Sequence, residues 1–275
     1  MNRLLKQSGG LSRNANSAKY YVNTCSPEWV KVKEEIKKVQ DTRDIDIQKS
    51  QILLGSMADE AVIVKIGESH DIDNEYAVAQ TVKRFKGFIK FYCFFTCNDN
   101  FREFFKGKRN GPGTTMKVIL MPFFPLGSIA THIWTPENID ILHSCLYTAC
   151  LCYIDAYKER GFIHNDFHAA NILLKKTRQR IISFTSEIHV TLRGVRPWIG
   201  DFEKSVLSNQ SSMDYEHFKY DIGKLFILMP TFVQNVDRST LFNMATFFQG
   251  LDNICSNDAR KQLWDKIRDN VRLVW

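Results

Sequence analysis

Four residues able to do chemistry are crowded into GFIHNDFHAANILL, Gly161 to Leu174, where His164, Asp166, His168 and Asn171 lie in a short polar loop between two apolar segments. A carboxylate at Asp166, an amide at Asn171 and a second carboxylate in the later step Asp201-Phe202-Glu203 form the set that phosphoryl transfer from a magnesium nucleotide requires. Such transfer needs a carboxylate near the attacking hydroxyl, oxygen ligands for the metal and a cation on the nucleotide phosphates. Lys65 ends the apolar run Ala61-Val62-Ile63-Val64 upstream of this set, and Glu75 follows it on a predicted helix. Taken alone, Lys65 and Glu75 read more readily as ordinary surface charges. The spacing His164, Asp166, His168 also admits a metal-dependent hydrolase, although such a site needs further ligands at fitting positions.

The elements that must carry these residues fall into two regions. Ser26-Pro27 predicts a helix start, with Trp29, Val32, Ile36 and Val39 at helical spacing. Ile52 to Leu54 and Ala61 to Ile66, separated by Gly55 to Asp59, predict a β-hairpin. A helix over Asp73 to Phe85, a buried strand over Phe88 to Phe95, a charged loop from Asn98 to Thr115 and a strand over Met116 to Met121 complete an antiparallel sheet with one helix. From Pro122 the pattern turns helical. Leu126 to Ile129 reads as a turn into a helix, Thr135-Pro136-Glu137 starts another, and the apolar series Leu142, Leu146, Ala149, Ile154 ends at Gly161. Short strands are predicted around Ile181 and Ile188, then helices over Tyr215 to Met229, Leu241 to Phe248 and Ala259 to Val274. The expected organisation is a basic arm over residues 1–27, a β-rich lobe over 28–121 and a helical lobe over 122–275.

At 275 residues and 44% hydrophobic content the chain can bury a large core, which excludes disorder throughout. The net charge of +7 points to acidic or phosphate-bearing partners, and nucleic acid is not read as the primary one. Residues 175–196 are a second basic region, with six Lys or Arg against Glu187 alone. The seven cysteines form no CxxC pair, so they read as reduced core thiols in a cytoplasmic setting, not as a zinc site. Ile139 to Tyr157 comes nearest to a membrane span but contains Asp140, His143 and Asp155, so no span is expected.

AVIVK, IHNDFHAANILL and IGDFE, in this order, resemble the phosphate-binding strand, catalytic loop and metal-binding step of the eukaryotic-like protein kinase superfamily. The resemblance runs from about Ile52 to Met229. It implies an α+β, two-lobed protein-kinase-like fold, with a small antiparallel β lobe holding one main helix and a larger, mostly helical lobe. It implies ATP and Mg2+ as cofactors and a hydroxyl-bearing protein substrate, with a small molecule as the alternative acceptor. In that frame Lys65 contacts the α and β phosphates and Glu75 pairs with it. Asp166 orients or deprotonates the acceptor, while Asn171 and Asp201 hold magnesium. Met121 and Phe123 lie at the adenine-binding hinge, and Asp221 caps backbone donors of the catalytic loop near the start of a long helix.

The chain departs from the pattern in several places. No glycine occurs between Gly10 and Gly55, so either Asp46 to Ser50 or Gly55-Ser56 must serve as the phosphate lid. Asn165 stands where an arginine precedes the catalytic aspartate, His168 where a lysine is common, and Glu203 where DFG has glycine. His168 and the short interval between Asp201 and Asp221 resemble small-molecule kinases. The missing lid fits a pseudokinase that acts as a binding module. The loop wording resembles divergent serine/threonine kinases of large DNA viruses, which implies host cytoplasm or virion as the setting.

Overall fold

The computed structural model describes residues 50–57, 60–97, 116–184, 188–208 and 212–232. The predicted arm, the helix after Ser26, all of the lid candidate Asp46 to Ser50 but Ser50 itself, the loop after Asn98 and the helices beyond Leu241 lie outside these residues. What is described is a mixture of helices and antiparallel strands, an α+β architecture with small sheets. Among the described residues the chain divides into two compact units. One takes the residues up to Thr81 with Ile89–Phe123, and the other takes Val82–Phe88 with the residues from Phe124 on.

The first unit is built on four strands, β1 (Ser50–Met57), β2 (Glu60–Glu68), β3 (Cys93–Cys97) and β4 (Met116–Pro122), in the order β1-β2-β4-β3 with every neighbour antiparallel. Helix α1 (Ser69–Val82) follows β2 directly. The hairpin is present, but its turn is tighter than the glycine suggests. Gly55 pairs with Val62 inside the ladder, so the strands close at Met57 and Glu60. Directly opposed residues share a sheet face, which places Ile52, Lys65, Ile119 and Phe94 on one side. Helix α1 covers that side, with Tyr76 stacked on Phe94 at 4.3 Å and Asp73 bonded to Lys117. Val62, Val64 and Ile66 are fully buried on the other side. The buried strand expected over Phe88 to Phe95 is not continuous. Phe88 makes a parallel bridge to Ile199 within the second unit, and regular pairing to β4 starts only at Cys93. The positive φ of Gly87, 80°, turns the chain just before Phe88, and a Cβ there would lie 2.3 Å from the Cys152 Sγ.

The second unit is organised around α2 (Ile139–Arg160), preceded by a 3-10 turn over Pro136–Asn138. No regular helix follows Leu126. Gly127 is left-handed instead, and Ser128 and Thr131 bond each other across a turn. Leu142, Leu146, Ala149 and Tyr153 recur at helical spacing and are buried, as are the free thiols Cys145, Cys150 and Cys152. Burial pushes the Cys145 thiol up to about 12. By length and composition Pro136–Arg160 could cross a bilayer, yet 67% of its most apolar window is buried inside the protein, as in a core helix. The helix ends at Gly161, whose φ of 61° no bulky residue adopts cheaply.

Beyond Gly161 come β5 (Phe162–Ile163), a 3-10 turn (Ala169–Asn171), β6 (Ile172–Lys176), β7 (Ile181–Ser183), β8 (His189–Thr191), β9 (Val195–Ile199) and β10 (Val206–Leu207). They pair as β5 with β10, β6 with β9 and β7 with β8. Three two-stranded ladders therefore lie between α2 and the next long helix, α3 (Ser212–Phe232); β7 and β8 fall where short strands were expected around Ile181 and Ile188, while the other two ladders stand in a lobe expected to be mostly helical. Alternating burial along β7, β8 and β9 accounts for them: inward Ile182, Val190, Val195 and Ile199 alternate with solvated or half-buried residues.

Candidate active site

The loop after β5 is held in shape from below by one buried carboxylate. Asp221 of α3 is 1% exposed, and its Oδ2 accepts the Asn165 N–H at 2.6 Å and the Tyr153 hydroxyl at 2.7 Å. Its Oδ1 lies 3.5 Å from the Phe167 amide. Tyr153 extends the network, because its hydroxyl oxygen accepts the His164 N–H at 2.9 Å. Burial, reinforced by the Asp221 charge, drives the Tyr153 phenol well above its ordinary range, so it remains a neutral donor. Asp221 sits mid-helix, not near the helix start. Its task is to satisfy loop amides that burial would otherwise leave unpaired.

His164 is fully buried, packed at ring-centroid distances near 6 Å from Phe162, Phe167 and Phe202. Its Nε2 donates to the Gly200 carbonyl at 2.9 Å, which ties the loop to the segment carrying Asp201. Burial lowers its pKa, outweighing the nearby carboxylates, and the ring stays neutral. Because this imidazole faces the core, the three-residue His-Asp-His spacing does not gather into a metal site. Among the described residues no group of three His, Cys, Asp or Glu forms one.

Strand pairing brings the remaining residues together. Ile172 of β6 opposes Ile199 of β9, so the residues flanking this pair, Asn171 and Gly200, meet as well; the Gly200 N–H donates to the Asn171 carbonyl at 3.0 Å. Asp201 follows with φ of 61°, a left-handed turn unusual for a residue with a side chain, and is exposed. The Asn171 Nδ2 donates to the Asp166 carbonyl at 2.9 Å, which commits the nitrogen, so Oδ1 is the amide atom with lone pairs to offer a cation. Asn171 and Asp201 fit magnesium by donor type, both offering hard oxygen.

The Asp166 side chain is 16% exposed and gripped from two directions. Lys204 Nζ donates to Oδ2 at 2.7 Å and Lys224 Nζ to Oδ1 at 2.6 Å, while His168 Nε2 stands 3.5 Å from Oδ1. Partial burial pushes the Asp166 carboxyl up, but the hydrogen bonds from Lys204 and Lys224 prevail and hold it at about 2. The same contact raises Lys204, and burial lowers His168 despite the Asp166 charge. His168 uses its Nδ1 to accept the Ala170 N–H at 3.3 Å, a cap on the 3-10 turn.

In the first unit, Lys65 Nζ and Glu75 Oε2 meet at 2.7 Å with both side chains buried. Met121 is buried in β4 opposite Ile63, Phe123 is half-buried just beyond the strand, and Gly55 lies in the β1 ladder.

Lys204, Lys224 and Tyr153 were not singled out as site residues from the sequence. Lys224 carried a readable signal, since it follows Asp221 by three positions and so shares its helix face. Asn165 has a structural task. It is left-handed at φ of 60°, which asparagine tolerates, and its Nδ2 donates to the Lys204 carbonyl at 3.0 Å. The chain matches no protein-family model and no curated protein.

Proposed function

We propose that this chain is an ATP-dependent phosphotransferase with a two-lobed, protein-kinase-like fold, most closely a serine/threonine protein kinase. One observation carries the reading: the β6–β9 register and the Gly200 to Asn171 bond gather Asp166, Asn171 and the Asp201 turn into one loop cluster, on a scaffold anchored by buried Asp221. Further support comes from the buried Lys65–Glu75 pair, the partnership that the kinase resemblance implies.

In this reading Asn171 and Asp201 would hold magnesium, which would supply charge neutralisation at the phosphates. Asp166 accepts a hydrogen bond from the acceptor hydroxyl and orients its oxygen. With its carboxyl held at about 2, Asp166 is a weak base, so its contribution is positioning more than early proton removal. The acceptor oxygen bonds to the γ-phosphorus as the bond to the bridging oxygen breaks; that electron pair stays on the departing diphosphate, and the hydroxyl proton passes to Asp166 and then to water.

Labelled transfer from ATP to a mixed basic-protein acceptor tests the proposal. Asp166→Asn and Asp201→Asn should each reduce transfer by about a thousandfold with unchanged melting temperature. Wild-type rates in either variant would refute the assignment. Transfer to a small-molecule hydroxyl is a second reading, favoured by the short segment between Asp201 and α3 at Ser212. Aminoglycoside, sugar and lipid acceptors in the same assay separate the two.

A further inference from the structure

Two ammonium groups reach the one carboxylate of Asp166, and they arrive from different elements. Lys204 follows the Asp201-Phe202-Glu203 step and is 62% exposed, whereas Lys224 projects from α3 and is 24% exposed. Lys224 stands on the turn of α3 that also carries Asp221, so the helix that fixes the loop backbone at Asn165 also delivers the ammonium to Asp166 Oδ1. Its position is therefore set by the same contacts as the loop. Lys204 is tethered through its own carbonyl, which accepts the Asn165 amide, while its side chain reaches through solvent.

His168 occupies the loop position where the kinase resemblance places a lysine, yet it does not replace that charge. Its Nδ1 accepts the Ala170 N–H, and its Nε2 is 3.5 Å from Asp166 Oδ1, compared with 2.6 Å for Lys224 Nζ. A permanent cation beside the carboxylate comes from the helix instead.

Resting on the phosphotransferase reading, we infer that Lys224 is a catalytic residue that binds the phosphoryl group in transfer, with Lys204 as a more mobile second cation, so that the pair forms a phosphate-binding subsite at Asp166. Asp201 and Glu203 also act on Lys204, so the cation fixed at Asp166 is Lys224, held there by α3, and the anion it would meet in transfer is the terminal phosphate of a nucleoside triphosphate. As negative charge shifts during transfer, an ammonium already fixed against Asp166 stabilises it without reorganising. The bonds made and broken are those given above, and Lys224 keeps its proton throughout.

The test uses the full chain with Lys224→Met, Lys224→Arg and Lys204→Met, and exposed Lys175→Met as a control. Binding of Mg-ATP and Mg-ADP is measured by calorimetry, and transfer from ATP to a mixed basic-protein acceptor is followed separately. Wild type should bind ATP more tightly than ADP. Lys224→Met should abolish that preference, leave ADP affinity within about threefold and lower kcat by about a hundredfold, the scale for removing one charge-stabilising donor. Lys224→Arg should restore part of kcat, Lys204→Met should lose less than Lys224→Met, and Lys175→Met should behave as wild type. Lys224→Met retaining both the ATP preference and kcat within about twofold overturns this inference alone. A folded wild type that binds neither nucleotide overturns the kinase reading and this inference with it.

Discussion

Replacing Asp221 by alanine tests how the Gly161 to Leu174 loop keeps its shape. The substitution removes the acceptor for the Asn165 amide at 2.6 Å and the Tyr153 hydroxyl at 2.7 Å, and the weaker contact to Phe167 at 3.5 Å. Hydrogen bonds to a charged partner are worth about 1.5–3 kcal/mol each, and a stranded buried donor costs about 1–3 kcal/mol. Counting the two short bonds and discounting the third gives roughly 3–6 kcal/mol of loss. Relief from burying a carboxylate offsets part of it, leaving about 3 kcal/mol. Asp221→Asn keeps the shape and one acceptor oxygen, so about half that loss is expected. Tyr153→Phe strands the His164 N–H and removes a donor to Asp221, and the Tyr153→Phe/Asp221→Ala pair should cost less than the sum because the two side chains share one bond. Urea unfolding gives the free energies, and hydrogen exchange of peptides covering 161–168 localises them. A loss under about 1 kcal/mol for Asp221→Ala, with unchanged protection of the loop, would refute the reasoning.

Two further predictions follow from buried charge. Glu75→Ala should destabilise the protein by about 3–5 kcal/mol, because it leaves the Lys65 ammonium buried without this counterion, whereas Lys65→Met/Glu75→Leu together should recover most of that stability and still fail to transfer phosphate; urea midpoints and the transfer assay check both. His164 should make stability fall with acid. Its folded pKa lies below the ordinary 6.5, so above that pH both states are neutral and stability is complete; below it the unfolded chain takes up a proton that the folded chain refuses. The loss amounts to at most about 1.4 kcal/mol per pH unit down to the folded pKa. Urea midpoints at about pH 7.5 and about pH 5.5 should therefore differ more in wild type than in His164→Phe, and equal differences would remove His164 from the account.

Local physics explains which elements were legible. The hairpin was visible because β-branched runs flank a turn, and the end of α2 because Gly161 supplies the left-handed residue that a helix terminus needs. The aromatic run Phe88 to Phe95 misled for an equally local reason. An unbroken apolar segment looks the same whether it pairs as a strand or, like Phe88, fills the core beside Phe162 and Phe202. Gly55 read as a turn residue because glycine favours turns, but the register with Val62 placed it in the ladder.

The sequence by itself determined which groups are available: two carboxylates, an amide and a lysine in motif order, and an aspartate destined for a helix. Their types and spacing are properties of the chain, written in its covalent order. Only the tertiary structure decided what surrounds Asp166. Lys204 and Lys224 are distant from it along the chain and are brought to its two oxygens by the turn after Asp201 and the packing of α3. Charge acts through space and falls with distance, so a residue's electrostatic setting is fixed by folding and not by its neighbours in sequence.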